Sequence, residues 1–232
     1  LAHDLEDGLG LGFDALTPNI RRAIAWAKYA KSRGKITIMG GPHASVDQGI
    51  FLDSGHFDYV LKGEAEETLP QFLKTLDGDD FEGMKQVAGL AAVREGAVVI
   101  DNPAPPLIKK LDELPLPARH LLPMDRYGDV AAPGVPFVML ETSRGCPMPC
   151  GYCYKQMFGD RQSKRRPEQV LEEVAEVVAK YGVRRIMFQD QIFTLDRKHT
   201  AAICEGLIAR GLHTKIEWRC QTRHNGMKLE LL

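Results

Sequence analysis

Apolar and polar positions along this chain alternate between a helical period and short continuous apolar runs, and this happens twice. Residues 8–15 are apolar and glycine-rich, after which Thr17 offers a helix cap and Pro18 a first helical position. Ile20, Ala23, Ile24, Ala27 and Ala30 recur at helical spacing, and Gly34 closes that helix. Residues 36–39 form a short apolar run of the kind buried on both faces of a parallel sheet, and it leads straight into Gly40-Gly41-Pro42-His43-Ala44-Ser45. A further helix, a strand over 58–61 and a helix over 66–76 follow, which predicts a doubly wound α/β half-domain. Residues 87–93 and 97–101 flank Arg94-Glu95-Gly96 and predict an appended hairpin.

Prolines 103, 105, 106, 115, 117 and 123 then punctuate a stretch that sustains neither period, which marks a boundary. The alternation resumes with a strand over 137–142. Pro167 opens a helix lined by Val170, Val174, Val177, Val178 and Tyr181 and closed by Gly182. A strand over 185–189, a helix capped by Asp196 and ended by Gly211, and a strand over 215–222 complete it. Repeated strand-helix units of this kind fit a TIM-like barrel of which about three units are present. The organisation is therefore an α/β domain with its hairpin over 1–102, a proline-rich linker over 103–135, and a partial barrel over 136–232, in a chain that reads as a fragment.

Charge narrows the partners. Thirty basic and thirty-one acidic residues leave a formal net charge of −1, so no global field recruits nucleic acid or an anionic membrane. Apolar runs such as 137–140 fall far short of the roughly 20 residues a membrane helix needs, and no secretory signal is evident. Five cysteines, three of them clustered, suit a reducing compartment, with the cytoplasm as the expected location.

The clustered cysteines carry the chemistry. Cys146, Cys150 and Cys153 lie in Glu141-Thr-Ser-Arg-Gly-Cys-Pro-Met-Pro-Cys-Gly-Tyr-Cys-Tyr154, directly after an apolar strand. Three thiolates on one loop can hold three irons of a cubane and leave the fourth open, whereas electron-transfer clusters usually take four cysteines. The competing reading is zinc, which normally pairs two knuckles; no second knuckle appears, and Cys204 and Cys220 are isolated, as small core residues are.

This spacing, with Tyr152 before the last cysteine, resembles the signature of the radical S-adenosylmethionine (radical SAM) enzymes. The resemblance implies a [4Fe-4S] cluster on Cys146, Cys150 and Cys153 whose open iron is chelated by the amino and carboxylate groups of SAM. One electron then breaks the sulfonium bond to give a 5'-deoxyadenosyl radical. Tyr152 is a SAM contact on this pattern. Residues 188–196, Phe-Gln-Asp-Gln-Ile-Phe-Thr-Leu-Asp, resemble a strand end that usually carries two adjacent acids; Asp190 keeps the first, as a SAM contact or a turn cap, and Gln191 replaces the second. In the third strand Ile216, Trp218 and Cys220 alternate with Glu217, Arg219, Gln221 and Arg223. The polar set should face the lumen, with Gln221 and Arg223 nearest the SAM carboxylate or ribose.

Gly40-Gly41, together with Lys62-Gly63-Glu64-Ala-Glu-Glu67 and the cysteine loop downstream, resembles the cobalamin-binding domain of B12-dependent radical SAM proteins, a Rossmann-like α/β fold. The resemblance covers nearly the whole chain and assigns cobalamin to Gly40, Gly41, Gly63 and Glu64. The Asp-x-His-x-x-Gly motif that supplies a lower cobalt ligand in some cobalamin proteins is absent, Asp14 stands where relatives often have Ser, and His43 has no assigned role. Arg161, Lys164, Arg165 and Arg166 form a basic run that reads as a solvated face. The family resemblance implies an enzyme that methylates an unactivated carbon of a small-molecule or natural-product-type substrate, fed by an external one-electron reductant of the flavodoxin or ferredoxin type. A radical SAM oxidoreductase or cyclase with the same domains, and a non-catalytic cobalamin or metal-binding module, are the rival readings.

Overall fold

A computed structural model of the chain describes residues 8, 10–129, 132–155 and 157–223. They divide into two compact units, Leu1–Leu107 and Ile108–Leu232.

In the N-terminal unit β1 (Gly10–Asp14) is followed by a 3-10 turn and α1 (Ile20–Ser32), which buries Ile20, Ala27 and Ala30. Then come β2 (Ile36–Gly40), α2 (Gly41–Val46), α3 (Gly49–Leu52), β3 (Tyr59–Leu61), α4 (Thr68–Asp77), α5 (Phe81–Met84), and the hairpin β4 (Leu90–Arg94) and β5 (Ala97–Asp101). The strands form one sheet in chain order; β1, β2 and β3 are parallel, and β4 and β5 are antiparallel to their neighbours. Met39 and Val60 pack with Phe51 and Phe57, while Leu61, Leu90 and Ile100 pack with Phe72, so each sheet face has its own apolar cluster. The helix over Gly41–Val46 begins immediately at the strand end, where the sequence reads as a loop. Thr17 caps nothing: its hydroxyl lies 3.0 Å from His43 Nδ1 instead.

The proline-rich stretch is carried by three 3-10 turns, Leu111–Glu113, Arg119–Leu121 and Met124–Arg126. In the C-terminal unit β6 (Gly128–Asp129) pairs antiparallel with β7 (Ala132–Leu140), which starts earlier than 137 because Pro133 and Pro136 face an edge strand that demands little of a ladder. Two-residue strands β8 (Ser143–Arg144) and β9 (Ser163–Lys164) follow, then α6 (Pro167–Tyr181), β10 (Arg185–Phe188), α7 (Arg197–Ala209) and β11 (Glu217–Cys220). β7, β10 and β11 are parallel, with Val138, Ile186 and Trp218 in one row and Met139, Met187 and Arg219 in the next.

Strand parity decides which residues meet the helices. Val138, Leu140, Ile186 and Phe188 pack against Val170, Val174, Val177, Ile203 and Leu207. Met139, one step out of phase, is 57% exposed on the opposite face. Pro167 is the first residue of α6, Gly182 ends it with φ +62°, and Asp196 caps α7 by accepting from His199 N, as the sequence indicates. No helix among the described residues is long and apolar enough to cross a membrane.

Candidate functional site

The cysteine loop leaves the C-terminal end of β7 and returns beside its own start. Ser143 and Arg144 pair antiparallel with Lys164 and Ser163, so β8 and β9 pinch the loop shut at its base. Arg165 N donates to Thr142 O at 2.9 Å, and Arg165 Nη1 donates to Glu141 O at 3.0 Å. Inside the pinch Cys146 N donates to Gly159 O and Gly159 N to Lys155 O. Gly145 makes the sharp entry possible with φ +88°; a Cβ there would overlap the carbonyl oxygen of Arg161 and lie 2.7 Å from that of Phe158.

The loop's entry is gripped from the end of β10. Asp190 is fully buried, and its Oδ1 accepts from Thr142 N at 3.1 Å, Thr142 Oγ1 at 2.9 Å and Ser143 Oγ at 2.6 Å. Its Oδ2 is buried without a hydrogen-bond partner among the described residues. Burial pushes this carboxyl above its ordinary pKa, and the Ser143 and Thr142 donors oppose that push. Gln191 Oε1 accepts from Gly145 N at 3.1 Å, and Gln162 Nε2 donates to Ser143 Oγ at 2.9 Å from the returning leg. Gln191, doubtful as a ligand from its residue type, thus acts on the backbone beside Cys146.

Cys146 and Cys150 are half-buried and Cys153 is exposed; all three are free thiols. Among the described residues no three His, Cys, Asp or Glu side chains converge closely enough to hold a metal ion. The donor set nevertheless fits an iron-sulfur cluster: three soft sulfur ligands within one eight-residue span, reachable from outside, on a loop anchored at both legs. Tyr152 is 94% exposed, and the Gln221 and Arg223 side chains are exposed beyond β11. Gln221 contributes its carbonyl to Phe193 N at 2.9 Å. Cys220 packs against the core, and burial raises the Cys220 and Cys204 thiols.

Two sequence readings change in this unit. Glu217 and Arg219 do lie on the face away from the helices, but that polar row is already paired: Arg185 bonds Glu217 at 2.8 Å, and Asp129 meets Arg185 at 3.2 Å and Arg219 at 2.9 Å. The basic run is a solvated face at Arg161, Lys164 and Arg166, which are exposed, but not at Arg165, which turns inward. Arg165 meets the buried Glu173 at 2.5 Å, Arg119 meets the other oxygen of Glu173 at 2.7 Å, Lys164 pairs with Asp196, and Arg166 pairs with Asp112 at 3.3 Å. Glu173 itself was readable: it breaks the apolar stripe of α6 between Val170 and Val174.

In the N-terminal unit the glycine loops lie at the C-terminal ends of β2 and β3. Ser45 Oγ donates to Gly41 O at 2.9 Å and accepts from Gly63 N at 2.8 Å, which stitches the two loops together. Gly41 has φ +87° and no room for a Cβ beside the Asp14 carboxylate; Gly63 has φ +76° and a Cβ would meet Pro105 at 3.1 Å. The turn alone therefore explains both glycines. Gly40 differs, since its φ of −139° suits any residue and a Cβ would come no closer than 3.7 Å, to Leu61 O. Glu64 is 6% exposed. His43 is held by Thr17 and packs edge-on to Phe51 with ring centroids 5.8 Å apart, a structural role.

Residues 140–230 match the sequence profile of the Radical SAM superfamily. Over 220 residues the chain is 34% identical to a protein named uncharacterized methyltransferase PH0819 of Pyrococcus horikoshii, covering 93% of this chain and 46% of that protein. It is 30% identical over 219 residues to the anaerobic magnesium-protoporphyrin IX monomethyl ester cyclase of Cereibacter sphaeroides, covering 92% of this chain and 35% of the relative. The chain thus spans less than half the length of either. The cobalamin-dependent S-adenosylmethionine radical enzyme OxsB, solved with aqua-cobalamin and S-adenosylmethionine bound, shares the fold at a TM-score of 0.73 and 20% identity, covering 94% of this chain and 31% of OxsB. With its cysteine loop inside the matched span and its likeness extending over both units, the chain belongs to the radical SAM superfamily.

Proposed function

We propose that this chain is the cobalamin-binding and cluster-bearing part of an enzyme that cleaves SAM reductively to a 5'-deoxyadenosyl radical and uses it to methylate an unactivated carbon. The observation that carries the reading is the Cys146, Cys150 and Cys153 triplet on a pinched loop at the C-terminal end of a parallel strand, where barrel enzymes place their chemistry. On this reading residues 1–102 are a Rossmann-like cobalamin domain, 103–135 a linker, and β7, β10 and β11 the opening strands of a TIM-like barrel.

When bound, a [4Fe-4S] cluster would supply the electron that cleaves SAM, and cobalamin would supply the methyl carrier. Cys146, Cys150 and Cys153 hold the cluster as thiolates. Tyr152, Gln221 and Arg223 are the SAM contacts, and Asp190 reaches SAM only through Oδ2, since Oδ1 is committed to Thr142 and Ser143. Gly40 gives the cobalamin tail main chain to lie against, while Gly41, Gly63 and Glu64 shape the loops around it. The cluster draws its electron from a flavodoxin- or ferredoxin-type protein, and the substrate is a small molecule of the natural-product type.

A second reading, an oxidoreductase or cyclase built on the same domains, is favoured by the 30% identity to the anaerobic cyclase. Anaerobic reconstitution tests the shared part: four irons per chain, lost in Cys146→Ala, Cys150→Ala or Cys153→Ala and kept in Cys204→Ala and Cys220→Ala. Iron retained by the triple variant refutes it. The full-length protein turning over with SAM that carries a deuterated methyl group separates the two reactions. Label in the product beside 5'-deoxyadenosine and S-adenosylhomocysteine means methyl transfer; 5'-deoxyadenosine with an unlabelled product means the cyclase or oxidoreductase.

A further inference from the structure

We propose that Asp190 and Gln191 are positioning residues of the cysteine loop, holding the backbone on which Cys146 sits; as a statement about cluster chemistry this rests on the reading above.

The two residues follow β10, whose end is held level with that of β7 by Gln189 N donating to Leu140 O at 2.8 Å. From that fixed platform they take three successive grips. Asp190 Oδ1 accepts from Thr142 N, Thr142 Oγ1 and Ser143 Oγ, and Gln191 Oε1 accepts from Gly145 N. Ser143 passes the hold across the pinch, because its hydroxyl donates to Asp190 and accepts from Gln162 Nε2. The loop is thereby fixed at residues 142, 143, 145 and 162, on both sides of the three thiols.

Chemistry explains why an acid suits the first position. A buried carboxylate must be compensated, and here the compensation comes from the loop. A loop that swung away would strand the carboxylate and three donors together, so the closed arrangement is favoured over a loosened one. Gln191 needs only an acceptor oxygen, since its partner is an N–H; a neutral amide supplies it without placing a second charge beside the first. The two roles fall on different oxygens of one carboxylate: Oδ1 holds the loop, and Oδ2, which has no hydrogen-bond partner among the described residues, is the one left for SAM.

The test uses the full chain and the variants Asp190→Asn, Asp190→Ala, Gln191→Ala and Gln191→Glu. Lys155 and Arg161 lie inside the loop, so native-state trypsin cleavage after them reads loop opening without any cluster present. Breaking one buried hydrogen bond shifts an opening equilibrium by about tenfold. Gln191→Ala should raise cleavage at these two sites about tenfold over cleavage after Lys180 in α6. Gln191→Glu, which keeps the acceptor oxygen but adds a charge beside Asp190, should raise cleavage less than Gln191→Ala, and Asp190→Asn should fall between wild type and Asp190→Ala. After reconstitution the loosened variants should bind less iron, with an altered electron paramagnetic resonance signal of the reduced cluster in the presence of SAM, while the circular dichroism spectrum stays native. Unchanged cleavage, iron content and resonance signal in Asp190→Asn and Gln191→Ala overturn the proposal. If Asp190→Ala does not fold, Gln191→Ala and Gln191→Glu decide alone. If wild type binds no iron yet the variants open the loop, the positioning role stands and the cluster assignment falls.

Discussion

Replacing Gly145 by Ala should open the cysteine loop, and Gly182→Ala in the same unit shows how much of the effect is steric. Both glycines have positive φ, +88° and +62°, so each substitution costs about 1–2 kcal/mol from backbone conformation alone. At Gly182 nothing lies within 4 Å of the added Cβ, and the cost stops there. At Gly145 the added carbon overlaps Arg161 O and sits 2.7 Å from Phe158 O, and both obstacles are main chain that no rotamer change can move. Relief requires the two legs to part, which gives up the bonds from Gly145 N to Gln191 and from Cys146 N to Gly159 O. At about 1 kcal/mol each, these bring the total to about 3–4 kcal/mol, or an opening favoured several hundredfold. Hydrogen exchange at the amides of Cys146 and Gly159 measures it directly, and iron content after anaerobic reconstitution measures the consequence. If Gly145→Ala exchanges no faster than Gly182→Ala and takes up iron as well as wild type, the claim that the pinched entry organises the loop is wrong.

Gly40→Val should fold normally, because its backbone and surroundings accept a side chain, and should weaken hydroxocobalamin binding by the full-length protein at least tenfold, a loss of about 1.4 kcal/mol; unchanged affinity in an equilibrium titration would remove Gly40 from the cobalamin site. Asp196→Ala removes the cap of α7 and the ion pair with Lys164, and should cost about 1 kcal/mol at neutral pH. Hydrogen bonds from Lys164 and from His199 N hold the Asp196 carboxyl below its ordinary value of 3.8. Its contribution is therefore complete above pH 3.8 and fades as pH falls through the lowered folded value, so denaturant melts of wild type and variant should converge in acid. A gap that stays constant down to strong acid would show that the charge is not what Asp196 contributes.

What the sequence displayed well were elements with strong punctuation. Pro167, the valine stripe and Gly182 delimit α6 almost to the residue, and Asp196 announces α7. Elements of two residues have no period to detect, which is why β8 and β9 escape a pattern search although they close the loop that matters most. Prolines 133 and 136 concealed the start of β7 in the same way. The cysteine triplet and Asp190 were visible as residue types at strand ends, but a carboxylate on a sequence line does not say which oxygen is spent or on what. Arg165 shows the same limit from the other side: four basic residues in six positions look solvated until Glu173, eight residues on, is seen turned inward beneath one of them. Likewise Gly40 and Gly41 look equivalent in the chain, and only their φ values separate the glycine a turn demands from the one it does not.

The apolar cluster of the C-terminal unit draws on β7, α6, β10 and α7 and takes none of the described residues of the span 145–162. Small zinc domains, by contrast, have no folded state to return to once the metal leaves, because the ligands are the core. On the proposed function the scaffold and the cysteine loop are therefore separable, and the unit would fold before any cluster is bound. Loss of such a cluster to oxygen would then leave a folded protein able to take up another, damage that is repairable rather than terminal.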